Sequence, residues 1–70
     1  MDWIETPGSS NIARFCYDAE SQILTVDFLK GGRYNYYDVS EVVFEQMKSA
    51  SSKGQFLSQN VKGSYRYARA

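Results

Sequence analysis

Two short runs of alternating side chains, separated by a pair of glycines, constrain the fold of this chain more than any other feature. Residues 24–28 (LTVDF) alternate apolar with polar side chains, and residues 34–36 (YNY) repeat the pattern. A period of two is typical of a strand that is buried on one face. Because the glycines at 31–32 between the runs are typical of a tight turn, the pattern predicts an antiparallel β-hairpin.

The length of the hairpin loop follows from the requirement that the apolar side chains share one face. A two-residue loop would pair Phe28 with Asn35 and mix apolar with polar side chains on both faces. A three-residue loop, residues 30–32, pairs Phe28 with Tyr34 and keeps the apolar side chains together. Such loops end on a residue with positive φ, so Gly32 is predicted to be left-handed. The other face is predicted to be exposed to solvent and carries Thr25, Asp27, Arg33, Asn35 and Tyr37.

The remaining segments predict an α+β domain, in which a three-stranded antiparallel meander packs against one α-helix. Predicted strands cover residues 12–17, 23–29 and 33–38, and predicted helices cover residues 41–51 and 55–62, the second being short. Ser40 is the expected N-cap of the first helix and Gly54 is expected to end it. Residues 64–70 form an extended C-terminal segment, a candidate fourth strand on the sheet edge.

The chain is predicted to hold a single domain over residues 10–70. Residues 6–11 (TPGSSN) are turn formers, so we expect residues 1–9 to be loosely ordered. Trp3 lies in this segment, and its ring either anchors a contact with a partner or folds back on the sheet. The pattern leaves both alternatives open.

The ordered motifs after residue 9 resemble those of the KTSC domain family, named from the C-terminal domain of some lysyl-tRNA synthetases. The motifs are Ser10-Asn11-Ile12, Tyr17-Asp18, Leu24-x-Val26-x-Phe28, Gly31-Gly32, Tyr34-x-Tyr36, Val39, Ala50, Ser52-Lys53-Gly54, Phe56, Asn60-Val61-Lys62-Gly63 and Tyr65. One departure is Ser40, where the family often has proline, which affects only where the helix starts. The resemblance implies a small module of unknown role, found alone or fused to a synthetase, for which RNA binding is the usual suggestion.

The sequence has few residues that could support catalysis, so the protein is not expected to be an enzyme. The chain has no histidine, so the commonest general base near neutral pH is missing. Its one cysteine, Cys16, cannot form an internal disulfide, and its position in a strand favours a small buried hydrophobe. No metal-ligand spacing or phosphate-binding glycine loop is present, so neither metal nor cofactor is predicted. Acidic residues near the N-terminus and the lack of a long apolar run predict a cytoplasmic protein without membrane contact.

The formal net charge is zero, but the charges are unevenly distributed. Residues 1–29 carry five acids and one base, whereas residues 48–70 carry three lysines and two arginines without any acid. These opposite charges either pair in the folded domain or leave a local basic face. The sequence leaves both alternatives open.

The basic face motivates a hypothesis of weak, sequence-tolerant RNA binding, to transfer RNA or single-stranded RNA. Rings alternate with guanidinium groups in residues 65–69, a pattern typical of contacts with bases and phosphates. The candidate contacts are Lys53, Lys62, Tyr65, Arg66, Tyr67 and Arg69, with Arg33 and Tyr37 on the exposed sheet face. Alternatively, Tyr65 and Tyr67 pack at the edge of the core and the arginines are simply solvated. Tyr34 and Tyr36 are assigned to the core beneath the helix.

A protein-interaction module is the alternative function. A small sheet has open edges, and either residues 12–17 or the C-terminal segment could pair with a strand of another protein. The sequence identifies no partner for such a contact.

Overall fold

The computed structural model describes residues 2–70 and shows an α+β domain with five antiparallel strands and two helices. The elements are β1 (Ile4–Glu5), β2 (Ile12–Asp18), β3 (Ile23–Phe28), β4 (Arg33–Tyr36), α1 (Glu41–Ser49), α2 (Lys53–Asn60) and β5 (Tyr67–Arg69). The strands follow one another across the sheet in chain order, so each pairs with its neighbours in sequence. The predicted three-stranded meander is therefore extended by one strand at each edge, and the C-terminal segment supplies the fourth strand of the prediction.

The predicted hairpin is present, but its register is shifted by two residues. Val26 pairs with Tyr34, and the predicted pairing of Phe28 with Tyr34 is wrong. The Phe28 backbone N–H instead donates to the carbonyl of Gly32 at 2.9 Å, so residues 29–31 form the loop. Because a shift of two residues preserves the alternation of faces, the predicted division of the sheet into an apolar and a polar face is confirmed.

The apolar face of the sheet and the two helices enclose the core. The fully or almost fully buried members of this cluster are Ile12, Phe15, Leu24, Val26, Tyr36, Val39, Met47, Leu57 and Val61. Cys16 is also buried, which confirms its predicted burial, but it pairs with Thr25 on the polar face. Within residues 2–70, neither helix is long and apolar enough to span a membrane.

Residues 4–6 differ from the expectation that residues 1–9 are loosely ordered, and Met1 lies outside the described residues. Ile4 pairs with Phe15 of β2, and Glu5 pairs with Arg14. Thr6 is buried, and its hydroxyl donates to the carbonyl of Ile12 at 2.6 Å. Contacts with β2 therefore order a segment whose own residues favour turns.

Both helices begin at serine caps. Ser40 accepts from the Val43 N–H, which confirms the predicted N-cap of α1. The prediction that Gly54 ends α1 is wrong, because α1 ends at Ser49 and Gly54 lies in the first turn of α2. Ser52 caps α2. The second helix therefore covers Lys53–Asn60, two residues earlier at each end than the predicted range 55–62.

Replacing Gly32 with alanine should destabilise the domain by about 1–2 kcal/mol, the cost of a left-handed backbone in a residue with a side chain. Gly32 has φ +88°, and an added Cβ would approach the Arg69 guanidinium at 3.3 Å. Gly8→Ala is the matched control, because its φ is not positive and no atom lies within 4 Å of the added Cβ. Urea denaturation measures both variants, and equal losses of stability would refute this explanation.

Candidate functional site

A groove lined by aromatic side chains lies between the β4–β5 edge of the sheet and the C-terminal end of α2. Its volume is about 510 Å³. The residues that line it are Asn11, Phe28, Lys30, Gly31, Tyr34, Tyr36, Lys62, Gly63 and Tyr67. We call this site the aromatic groove. Phe28 and Tyr34, which line it, are packed against the core but only partly buried.

Strand pairing places the rings of the aromatic groove in contact. Tyr67 pairs with Tyr36 across β4 and β5, and its ring centroid lies 5.9 Å from that of Tyr36 and 5.8 Å from that of Tyr34. Phe28 meets Tyr34 edge to face at 5.7 Å. Tyr36 is only 3% exposed, whereas Tyr67 is 61% exposed. The rings therefore extend from the core to the solvent.

The ring of Tyr36 remains a neutral phenol at physiological pH. Its burial raises the pKa of the hydroxyl above its ordinary value, and the neighbouring Tyr34 and Tyr67 raise it further. Tyr36 therefore adds a ring without charge to the groove, which suits a flat ligand such as a base or another ring.

Two lysines, Lys30 and Lys62, line the groove together with these rings. The Lys62 ammonium lies 5.0 Å from the Phe28 ring centroid, within the range of a cation–π contact. Lys30, in the hairpin loop, also lines the groove. None of the described residues that line the groove carries a carboxylate. The aromatic groove therefore combines flat apolar surfaces with cations, the chemistry that suits a ligand with both rings and negative charge.

The structure separates the eight residues that the sequence predicts as nucleic-acid contacts. Lys62 and Tyr67 line the aromatic groove, whereas Tyr65 packs half-buried against the core. Lys53 donates to the carbonyl of Ala50 at 2.9 Å and lines a different, polar cleft of about 660 Å³ beside the N-terminal segment. Arg69 lies beside Gly32 at the hairpin. The eight residues therefore do not all line one site.

Arg66 and Tyr37 lie together away from the groove. The Arg66 guanidinium is 2.9 Å from a carboxylate oxygen of Asp38 and 5.6 Å from the Tyr37 ring centroid. Both side chains of this ion pair are largely exposed, so the pair holds Arg66 only weakly.

The polar face of the sheet carries a cluster centred on Asp27. Its carboxylate accepts from Arg14 at 2.9 Å and from Arg33 at 2.6 Å. The Trp3 ring lies 4.2 Å from the Arg14 guanidinium carbon and 4.9 Å from that of Arg33. Trp3 thus folds back on the sheet, the second of the two predicted alternatives. Arg33, a predicted RNA contact, is engaged within the domain.

The pKa shifts in this part of the chain follow from these contacts. Hydrogen bonds from Arg33, followed by those from Arg14, hold the pKa of Asp27 below its ordinary value. Burial raises the pKa of the Cys16 thiol, which disfavours the reactive thiolate.

Within residues 2–70, no group of three or more His, Cys, Asp or Glu side chains is placed to hold a metal ion.

Sequence reasoning missed two parts of the aromatic groove. The sequence pattern predicts Lys30 only as a loop residue and Tyr34 and Tyr36 only as core residues, whereas all three line the groove. The signal for Lys30 is its position beside the flexible glycines of the hairpin, where a long side chain can reach the edge of the apolar face.

Comparison with known proteins identifies the family. The KTSC domain model matches residues 8–65. A lysine–tRNA ligase of Nostoc punctiforme is 36% identical over 61 residues, which are 87% of this chain but 11% of the ligase. A protein of Tsukamurella paurometabola is 40% identical over 58 residues, 83% of this chain and 87% of that protein.

A solved structure agrees with this match. The crystal structure of a KTSC domain protein from Yersinia pestis has a TM-score of 0.93 to this fold, with 29% sequence identity, and the match covers 99% of this chain and 96% of that one. The chain spans only about a tenth of the length of the ligases it matches. The family match and the shared fold show that the chain belongs to the KTSC domain family.

Proposed function

We propose that this domain is a non-catalytic module that binds RNA weakly through the aromatic groove. The observation that carries the proposal is the convergence of Tyr34, Tyr36 and Tyr67 with Lys30 and Lys62 around one recess whose lining lacks carboxylates. Rings offer surfaces on which bases stack, and lysines neutralise phosphates. The related ligases act, by name, on transfer RNA, which is consistent with an RNA ligand.

The charge of the chain sets the expected strength of this interaction. The formal net charge is zero, so long-range attraction to a polyanion is small. Local attraction at the groove comes from a few cations, and each phosphate that they neutralise releases a counterion. Binding is therefore expected to be weak and to fall steeply as salt is added.

Replacing Lys62 with alanine should lower RNA affinity and flatten the slope of log affinity against log salt by about 0.7–1, the effect of one lost phosphate contact. Lys48→Ala is a matched control. The Lys48 ammonium also lies 5.0 Å from a phenylalanine ring, that of Phe44, but it belongs to α1 and does not line the groove. Fluorescence anisotropy with labelled single-stranded RNA at low and moderate salt measures both variants.

Two results would contradict the proposal. RNA binding is excluded if the wild-type domain shows no salt-sensitive affinity at low salt. The groove is excluded as the contact surface if Lys62→Ala and Lys48→Ala bind RNA equally well.

Protein binding by strand addition is a second candidate function, and the exposed edge strand β5 favours it. Residues Tyr67–Arg69 are all exposed, and β5 pairs on one side with β4 while no described strand lies on its other side. A peptide in an extended conformation could continue the sheet there. Its affinity would change little with salt, in contrast to the RNA interaction.

A further inference from the structure

We infer that the aromatic groove takes one unpaired base of a single strand, stacked on the ring of Tyr67. This inference rests on the proposed function and specifies the class of RNA that the groove accepts. Three observations support it: the Tyr67 ring is accessible, the groove is lined by the hairpin loop and the end of α2, and Lys30 and Lys62 line the same groove.

Tyr67 is the ring in the aromatic groove that has most surface available. It is 61% exposed, whereas Tyr36 is 3% exposed and Tyr34 is half-buried and packed edge to face on Phe28. The rings of Tyr34 and Tyr36 lie against Tyr67 at interplanar angles of 50° and 40°. Pairing of β5 with β4 thus holds the Tyr67 ring in place while leaving much of its surface open to a ligand.

The surroundings of the rings favour an unpaired base. Lys30 and Gly31 of the hairpin loop and Lys62 and Gly63 after α2 line the same recess as the rings. In an RNA duplex the faces of the bases are covered by their stacked neighbours, and only the backbone and the groove edges are accessible. A base can therefore reach these rings only after it has left the stack, as in loops, bulges and single strands.

The two lysines complete a site for a nucleotide. Lys62 and Lys30 both line the recess that holds the Tyr67 ring. A base stacked on this ring carries its sugar and phosphates toward the mouth of the groove, where an ammonium group can meet them. One nucleotide thus satisfies both the apolar and the charged part of the site.

The test compares single-stranded RNA with an oligonucleotide of the same length and charge that lacks bases. Both probes are titrated against the wild-type domain, Tyr67→Ala and Tyr67→Phe at one low salt concentration, with fluorescence anisotropy as the readout. Loss of one stacking contact should lower affinity about tenfold. We expect the wild type to prefer the base-carrying strand by about this factor, Tyr67→Phe to retain the preference, and Tyr67→Ala to lose it.

The possible outcomes separate this inference from the proposed function. Equal affinity of the wild type for both probes would overturn the base site while leaving charge-driven RNA binding in place. Binding of neither probe would overturn the proposed function and the base site together. Thermal melts of the variants accompany the titrations, and the wild-type comparison decides the question even if Tyr67→Ala fails to fold.

Discussion

Replacing Phe15 with alanine is expected to cost roughly 3–5 kcal/mol and to leave the domain largely unfolded at room temperature. Phe15 is fully buried at the centre of the sheet, where it pairs with Ile4 on one side and Val26 on the other. Its ring also meets the ring of Phe44 from α1 edge to face at 6.0 Å. Truncation would remove one of the contacts between α1 and the sheet and leave a cavity between them.

Phe28→Ala is the matched control for this prediction. The alternating pattern assigns Phe28 to the core, but the structure places it half-buried on the wall of the aromatic groove. Because part of this ring is already in contact with water, its truncation should cost only about 1–2 kcal/mol. Urea denaturation followed by circular dichroism measures both variants. A greater loss of stability in Phe28→Ala than in Phe15→Ala would show that this account of the core is wrong.

The sequence predicts which side chains share a face of the hairpin but not which residues pair. Shifting the strands by two residues leaves each side chain on the same face, so an alternating pattern is compatible with both registers. The contacts that select one register lie partly outside the hairpin. The Phe28 N–H donates to Gly32 within the loop, but the adjacent Leu29 N–H donates to the Asn11 carbonyl at 2.9 Å.

The order of the N-terminal segment is a second property that local sequence does not predict. Residues 6–11 favour turns, and a strand of two residues has almost no propensity signal. Its order comes from distant partners, such as the contact of the Trp3 ring with Arg14 and Arg33. Contacts of this kind depend on how the sheet assembles and leave no periodic pattern in the segment itself.

The candidate site is partly predictable from the sequence for a related reason. The alternation of tyrosines and arginines in residues 65–69 indicates Tyr67 as a candidate contact. The absence of acidic residues from the C-terminal region indicates Lys62. However, the aromatic groove also depends on where α2 ends relative to β4, which decides how much of the apolar face stays uncovered. Tyr34 and Tyr36 are therefore core residues and groove residues at once, a dual position that a pattern of alternation does not reveal.

The Asp27 carboxylate is predicted to stabilise the fold by joining three strands. It accepts hydrogen bonds from Arg14 of β2 and Arg33 of β4, and its own side chain is only 18% exposed. Hydrogen bonds to a charged group in such a site contribute more than exposed ion pairs do. Asp27→Asn should therefore lower the free energy of unfolding by about 2–3 kcal/mol at neutral pH. Glu45→Gln is the control, because Glu45 is exposed and its ion pair within residues 2–70 is with Lys48 of the same helix.

The contribution of Asp27 should also depend on pH in a defined direction. Arg33 and Arg14 lower the pKa of this carboxyl in the folded state, so folding favours the ionised form. The stabilisation is then fully present above the ordinary carboxyl pKa of about 4 and is lost as the pH falls through the lower folded-state pKa. Urea denaturation of the wild type and Asp27→Asn between about pH 7 and pH 2 should give a stability difference that is constant above about pH 5 and shrinks below about pH 4. Asp18, whose pKa is also lowered, contributes equally to both proteins and cancels in this difference. If the difference in unfolding free energy between the two proteins stays the same down to pH 2, the effect of the substitution comes from altered packing and not from the lost carboxylate charge.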